Sequence, residues 1–129
     1  MRILLVLPLL VGCSPADQEG LQRALDTYAA QATQPASLAK VLTGEALANA
    51  QKSAELLSEL GITQTGQAHF AVNAASEGLG RGCLDLSQVR LFSARGELLI
   101  PARGNRVVFE ASYQSDFRIS KLEISERAC

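Results

Sequence analysis

The 129-residue chain has no tryptophan, one histidine, one methionine, four prolines and three cysteines. With one histidine and no Cys-x-x-Cys spacing, it lacks the ligand sets of the recognisable zinc and dithiol redox motifs. It has no Gly-x-Ser-x-Gly elbow and no phosphate-binding loop, which leaves the commonest sequence signatures of acyl and phosphoryl chemistry unmatched. It has little excess charge of either sign, with 12 basic against 13 acidic side chains. Nucleic-acid partners want a concentrated basic patch and are not expected. The longest apolar run, Ile3 to Gly12, is ten residues, half of the roughly 20 that a membrane-spanning helix needs.

What is present begins with that run. Arg2 precedes it, Val11-Gly12 closes it, and Cys13 follows at once, before the polar Ser14-Pro15-Ala16-Asp17. A charged start, a short apolar segment and a small-residue junction are the parts of a secretory signal; the rival reading is a buried first strand or helix. A cysteine directly after Val-Gly resembles the bacterial lipobox. The resemblance implies that residues 1–12 are a signal peptide, that Cys13 is lipidated on its thiol and begins the mature chain, and that the protein sits on the extracytoplasmic face of a cell membrane. A glyceride-type double chain meets the two-signal requirement for stable anchoring. The expected organisation is then a leader over 1–12, a lipidated Cys13 with a short tether over 13–20, and one domain over 21–129, a length suited to a single core.

Setting Cys13 aside leaves Cys83 and Cys129, an even pair in a compartment that permits disulfides. They are expected to bond to each other, closing a loop of about 47 residues worth about 4 kcal/mol in the chain-entropy description. No metal and no cofactor are expected.

The period of the apolar residues changes once along the chain. Leu21, Ala24, Leu25, Tyr28 and Ala32 recur at helical steps, predicting an amphipathic helix over about 21–32. A short helical turn follows over 37–42 with Ser37 as its cap. A second long helix is expected over 45–60, capped by Thr43 and stopped by Gly61, with Leu47, Ala50, Ala54 and Leu57 as its stripe. Beyond Gly61 alternation takes over, predicting strands over 65–75, 82–92, 98–100, 106–114 and 117–125, with turns at 76–80, 94–97 and 103–105. Helices first and strands afterwards predict an α+β fold, helices packed on one face of a mainly antiparallel sheet.

That element order, together with Gly82-Cys83-Leu84-Asp85, Val89-Arg90-Leu91-Phe92-Ser93-Ala94-Arg95-Gly96, Arg106 to Ala111, Phe117 to Glu123 and the terminal Glu126-Arg127-Ala128-Cys129, resembles the NTF2-like (SnoaL-like) cone fold. The second half is similar specifically to NTF2-like lipoproteins of high-GC Gram-positive bacteria. The chain departs from them in having Phe117 where they carry tryptophan and in the glycine-rich Leu79-Gly80-Arg81-Gly82. The resemblance implies a curved sheet wrapped around an apolar cavity and allows a homodimer through the sheet. It does not choose an activity, because the fold hosts enzymes, carriers and interaction domains alike.

Three functions are therefore weighed from the residues. The first is a non-enzymatic, membrane-anchored module that contacts another envelope component. The second is a carrier of a small apolar ligand, its cavity lined by Tyr28, Phe70, Phe109 and Tyr113. The third is an isomerase or dehydratase using Asp85 or His69 as base, for which Asp85 would need an apolar setting that raises its pKa. For each residue a plainer role competes: core packing for the aromatics, a solvated surface for His69, hydrogen bonding at a strand end for Asp85, and ion pairing for the facing carboxylates Glu110 and Glu123. No catalytic residue is assigned.

Overall fold

The structure, a computed structural model, describes residues 14–99 and 105–129. The expected leader over 1–12 and Cys13, the expected lipidation site, lie outside the described residues. Helix α1 (Pro15–Ala30) and helix α2 (Gly44–Glu59) flank a short 3₁₀ helix (Pro35–Lys40), and seven strands follow: β1 (Thr63–Thr65), β2 (His69–Ser76), β3 (Leu79–Asp85), β4 (Arg90–Phe92), β5 (Leu98–Leu99), β6 (Arg106–Tyr113) and β7 (Ile119–Ala128). The fold is α+β, with all named strand pairs antiparallel. Its strands form two sheets, one of order β2-β3-β6-β7 and a smaller one of order β1-β4-β5.

Helix α1 starts at Pro15, so the residues read as a tether form its first turns. The local chemistry explains this. The Ser14 hydroxyl accepts from the Asp17 N–H at 3.3 Å, Pro15 occupies the first turn where no N–H is needed, and Asp17 puts negative charge at the positive end of the helix. The Ser14 N–H in turn donates to the Ala75 carbonyl of β2 at 3.2 Å. The 3₁₀ helix likewise begins earlier than Ser37, at Pro35, and Ser37 lies within it. Thr43 stands at the start of α2 without capping it through its side chain. Its backbone is engaged instead, the N–H donating to the Ile119 carbonyl and the C=O accepting from Leu47.

Two predicted long strands are each broken in two. Gly66 (φ +76°) separates β1 from β2, and any Cβ there would run into the Gln88 carbonyl. Asp85 ends β3 by accepting from the Ser87 N–H at 2.9 Å, after which the chain turns and re-enters as β4. The severed ends β1 and β4 find each other and, with β5, make the small sheet. Glu77 and Gly78, both at positive φ, form a tight two-residue turn between β2 and β3, leaving Leu79 and Gly80 inside β3 rather than in the expected turn over 76–80.

The core lies between α1, the 3₁₀ segment and the four-stranded sheet. Leu21, Leu25, Leu38, Leu42, Val107, Phe109 and Ile119 are the largest of its fully buried side chains, and Phe109 meets Phe70 edge to face at 5.1 Å between ring centres. Register shifts alter which residues face inward. A shift between Val72 and Ala74 buries Ala75 where simple alternation puts Ala74. Another at Tyr113 brings Ile119 inward together with Leu122, although the two are three apart in β7.

Strand β2 is an edge of the larger sheet, and α1 covers it with glutamines. Gln22 donates from Nε2 to the Phe70 carbonyl and accepts at Oε1 from the Val72 N–H at 2.9 Å, while Gln18 donates to the Val72 carbonyl at 2.9 Å. Backbone groups that would otherwise invite another strand are thereby occupied.

Candidate functional site

Near the C-terminal end of α1 the interior is not filled. A cavity of about 430 Å³ opens between α1, α2 and the inner face of the sheet. Its cause is visible in the residues facing it. Ala29 and Ala32 come from the α1 side, Ala46 and Ala50 from one face of α2, and Ala68 from the approach to β2. Small side chains at positions that leucine commonly fills hold the helices over the sheet without occupying the space between them. The opposite wall is Phe70, Leu84, Leu86, Val89, Leu122 and Ile124.

The polar groups on this lining are uncharged. They are Asn49 and Ser53, both exposed, with the half-buried Gln64 and Tyr28. The Tyr28 ring packs tilted against Phe70 at 6.1 Å. Burial pushes its phenol above the ordinary tyrosine pKa, so it is a neutral O–H at physiological pH. That hydroxyl has no hydrogen-bond partner among the described residues. Asp, Glu, Lys, Arg, His and Cys are absent from the described lining.

The expected site residues are scattered by the fold. Tyr28 and Phe70 line the cavity. Phe109 does not; it is fully buried in the core beneath. Tyr113 lies toward the other end of α1, its hydroxyl donating to Asp17 Oδ2 at 2.8 Å and its ring stacked on Phe117 at 5.7 Å. His69 and Asp85 are paired in register across β2 and β3, with Arg106 opposite Asp85 on β6. Asp85 is therefore not in an apolar setting. The Ser87 N–H holds its carboxyl below the usual carboxylate range, aided by Arg106 and His69, the opposite of what a base in the cavity requires.

Glu110 and Glu123 do face each other in register. Each has a cation near: Lys121 Nζ is 3.6 Å from Glu123 Oε2, and Arg81 stands opposite Glu110 on β3. Cys83 and Cys129 are at disulfide distance, with Cα atoms 5.8 Å apart and a sequence separation of 46. The bridge ties β3 to the C-terminus. Among the described residues, no group of three or more His, Cys, Asp or Glu side chains is placed to hold a metal ion, and no helix is long and apolar enough to cross a membrane.

The cavity-lining alanines are the residues that reading by hydrophobic period passes over. Alanine counts as apolar and supports a helical stripe, yet at Ala46 and Ala50, which pack on the core, it also leaves space beside it. A signal was available: the stripe of α2 carries Leu47 but otherwise alanine through its first three turns.

No protein-family model and no curated protein matches the chain. Among solved structures, the crystal structure of the intermembrane space region of the chloroplast protein ARC6 is similar, with a TM-score of 0.64 and 13% identity over 84% of this chain and 95% of that one. At that identity the similarity is one of fold.

Proposed function

We propose that this chain is a non-enzymatic binding domain, of the NTF2-like cone type, that holds an apolar ligand in the alanine-walled cavity and is carried on the extracytoplasmic face of a membrane by lipid at Cys13. One observation carries the ligand reading: a cavity of about 430 Å³ lined by aliphatic and aromatic side chains and a few neutral polar ones. Its volume falls in the roughly 300–1,000 Å³ range of small-molecule sites. An apolar wall with little polar decoration rewards burial of hydrocarbon, at roughly 25 cal/mol for each Å² removed from water. The carboxylates and the histidine weighed as bases lie elsewhere, so among the described residues a molecule seated here meets no group to exchange a proton with at neutral pH. The lipid anchor is supported by the Arg2 to Cys13 pattern and by the terminal disulfide pair, which suits an oxidising compartment.

The test is binding of a neutral solvatochromic dye such as Nile red to the full chain, compared with Ala50→Phe and, as a milder filling, Ala68→Leu. Blue-shifted emission that both substitutions abolish, while the far-UV spectrum and melting temperature are kept, is the expected result. Dye binding that neither substitution changes would overturn the assignment. Intact mass of the membrane-extracted protein, with and without reductant, tests the anchor and the bridge together.

A further inference from the structure

We infer that the occupant of the cavity is an uncharged single-chain amphiphile, one hydrocarbon tail bearing a small hydroxyl or amide head. This rests on the reading of the cavity as a binding site. The tail follows from the wall: five alanines and seven larger apolar side chains line a space in the lower half of the range for small-molecule sites, enough for one chain rather than the two of a membrane glycerolipid.

The head follows from the charge balance. The described lining contains no cation to pair a carboxylate or phosphate and no anion to pair an ammonium. A charged head drawn into such a space keeps its desolvation cost with nothing to offset it. A neutral head, by contrast, finds on the lining Tyr28, half-buried with its ring against Phe70 and its hydroxyl without a partner among the described residues, and the half-buried Gln64 amide. Both groups donate and accept, so a single hydroxyl or amide satisfies either. Asn49 and Ser53, exposed at the rim, extend the same uncharged chemistry to the mouth.

The experiment is displacement of Nile red from the full chain at pH 7 by three chain-matched probes: 1-decanol, decanoate and decyltrimethylammonium. Decanol is expected to bind about tenfold more tightly than either ion, the factor that about 1.4 kcal/mol of unpaired-charge cost represents. Tyr28→Phe is expected to weaken decanol about threefold to tenfold, the range of one lost hydrogen bond, and to weaken decanol more than it weakens the dye. Equal affinity for all three probes, or tighter binding of an ion, would sink the inference yet leave the cavity a ligand site. Failure of decanol to displace a dye that Ala50→Phe excludes has the same meaning. Dye binding indifferent to Ala50→Phe removes the site reading itself.

Discussion

Gly80 lies directly beneath Leu21: a methyl group built on the Gly80 Cα would overlap Leu21 Cδ2, and would also press on the Ala74 carbonyl and the Ala75 side chain. Helix α1 reaches the sheet closely here because β3 offers it no side chain. Gly82, two residues on, admits the Ala71 carbonyl in the same way. The glycine-rich stretch before Cys83 is thus a groove for a helix and for a neighbouring strand, and its role is packing.

Gly80→Ala is therefore expected to destabilise the fold by about 1–3 kcal/mol, the usual cost of overfilling a packed interior. Chemical denaturation measures it. Combining it with Leu21→Ala, which alone costs about 2–5 kcal/mol as a buried leucine truncation, should give a double variant less destabilised than the sum, by about 1 kcal/mol. Strict additivity would show that the clash is elsewhere.

Tyr113 joins the start of α1 to the end of β6 through Asp17. Burial, then the hydrogen bond to Asp17 and its negative charge, push the phenol up to about 12 from an ordinary 10.0. The folded state holds this proton more tightly than the unfolded one. The contribution is fully present below pH 10 and is lost as pH rises toward 12. Wild type should exceed Tyr113→Phe by about 1–2 kcal/mol at pH 7, and the gap should narrow above pH 10. A gap that widens with alkali has the wrong sign for this linkage.

Gln22 serves two backbone groups of an edge strand at once. Gln22→Ala is expected to cost about 1–2 kcal/mol, since both groups are only part-buried and water can replace the side chain in part. It should also speed amide exchange at Val72. Unchanged exchange there, measured by NMR, would mean that the edge is guarded by something else.

Reducing the bridge between Cys83 and Cys129, or replacing Cys129 by serine, is expected to lower stability by about 2–4 kcal/mol. Cys83→Ser should cost a comparable amount and the double substitution little more than either. Melting curves of the three variants, with and without reductant, decide it.

The helices were legible in the sequence because their stripes are long and their stops unambiguous: Gly61, at φ +68°, ends α2 with Gly61 N–H bonded to Ser58 and Ile62 N–H to Leu57, as a left-handed stop should. The strands were legible in number of apolar faces but not in extent. Nothing in the alternation of Thr65 to Ala75 reports that Gly66 adopts a left-handed turn, or that its partner across the break is Gln88. Bulges at Val72 and Tyr113 shift the inward face by one residue, which a period of two cannot show. The cavity was hidden for a different reason. Four aromatics suggested a lining, but Phe109 and Tyr113 were taken by the core and by Asp17, and the space was made by alanines, whose contribution is volume left empty.

Ser14 caps α1 with its side chain and holds Ala75 with its backbone, about 21 Å along the helix from Tyr28 at the cavity. A pull applied at that residue has no slack to take up: the load enters the helix and the edge strand together and spreads through the ladder to the strand stapled at Cys83. Tension at the entry point is thus shared from the outset by α1 and β2, at the end of α1 away from the cavity.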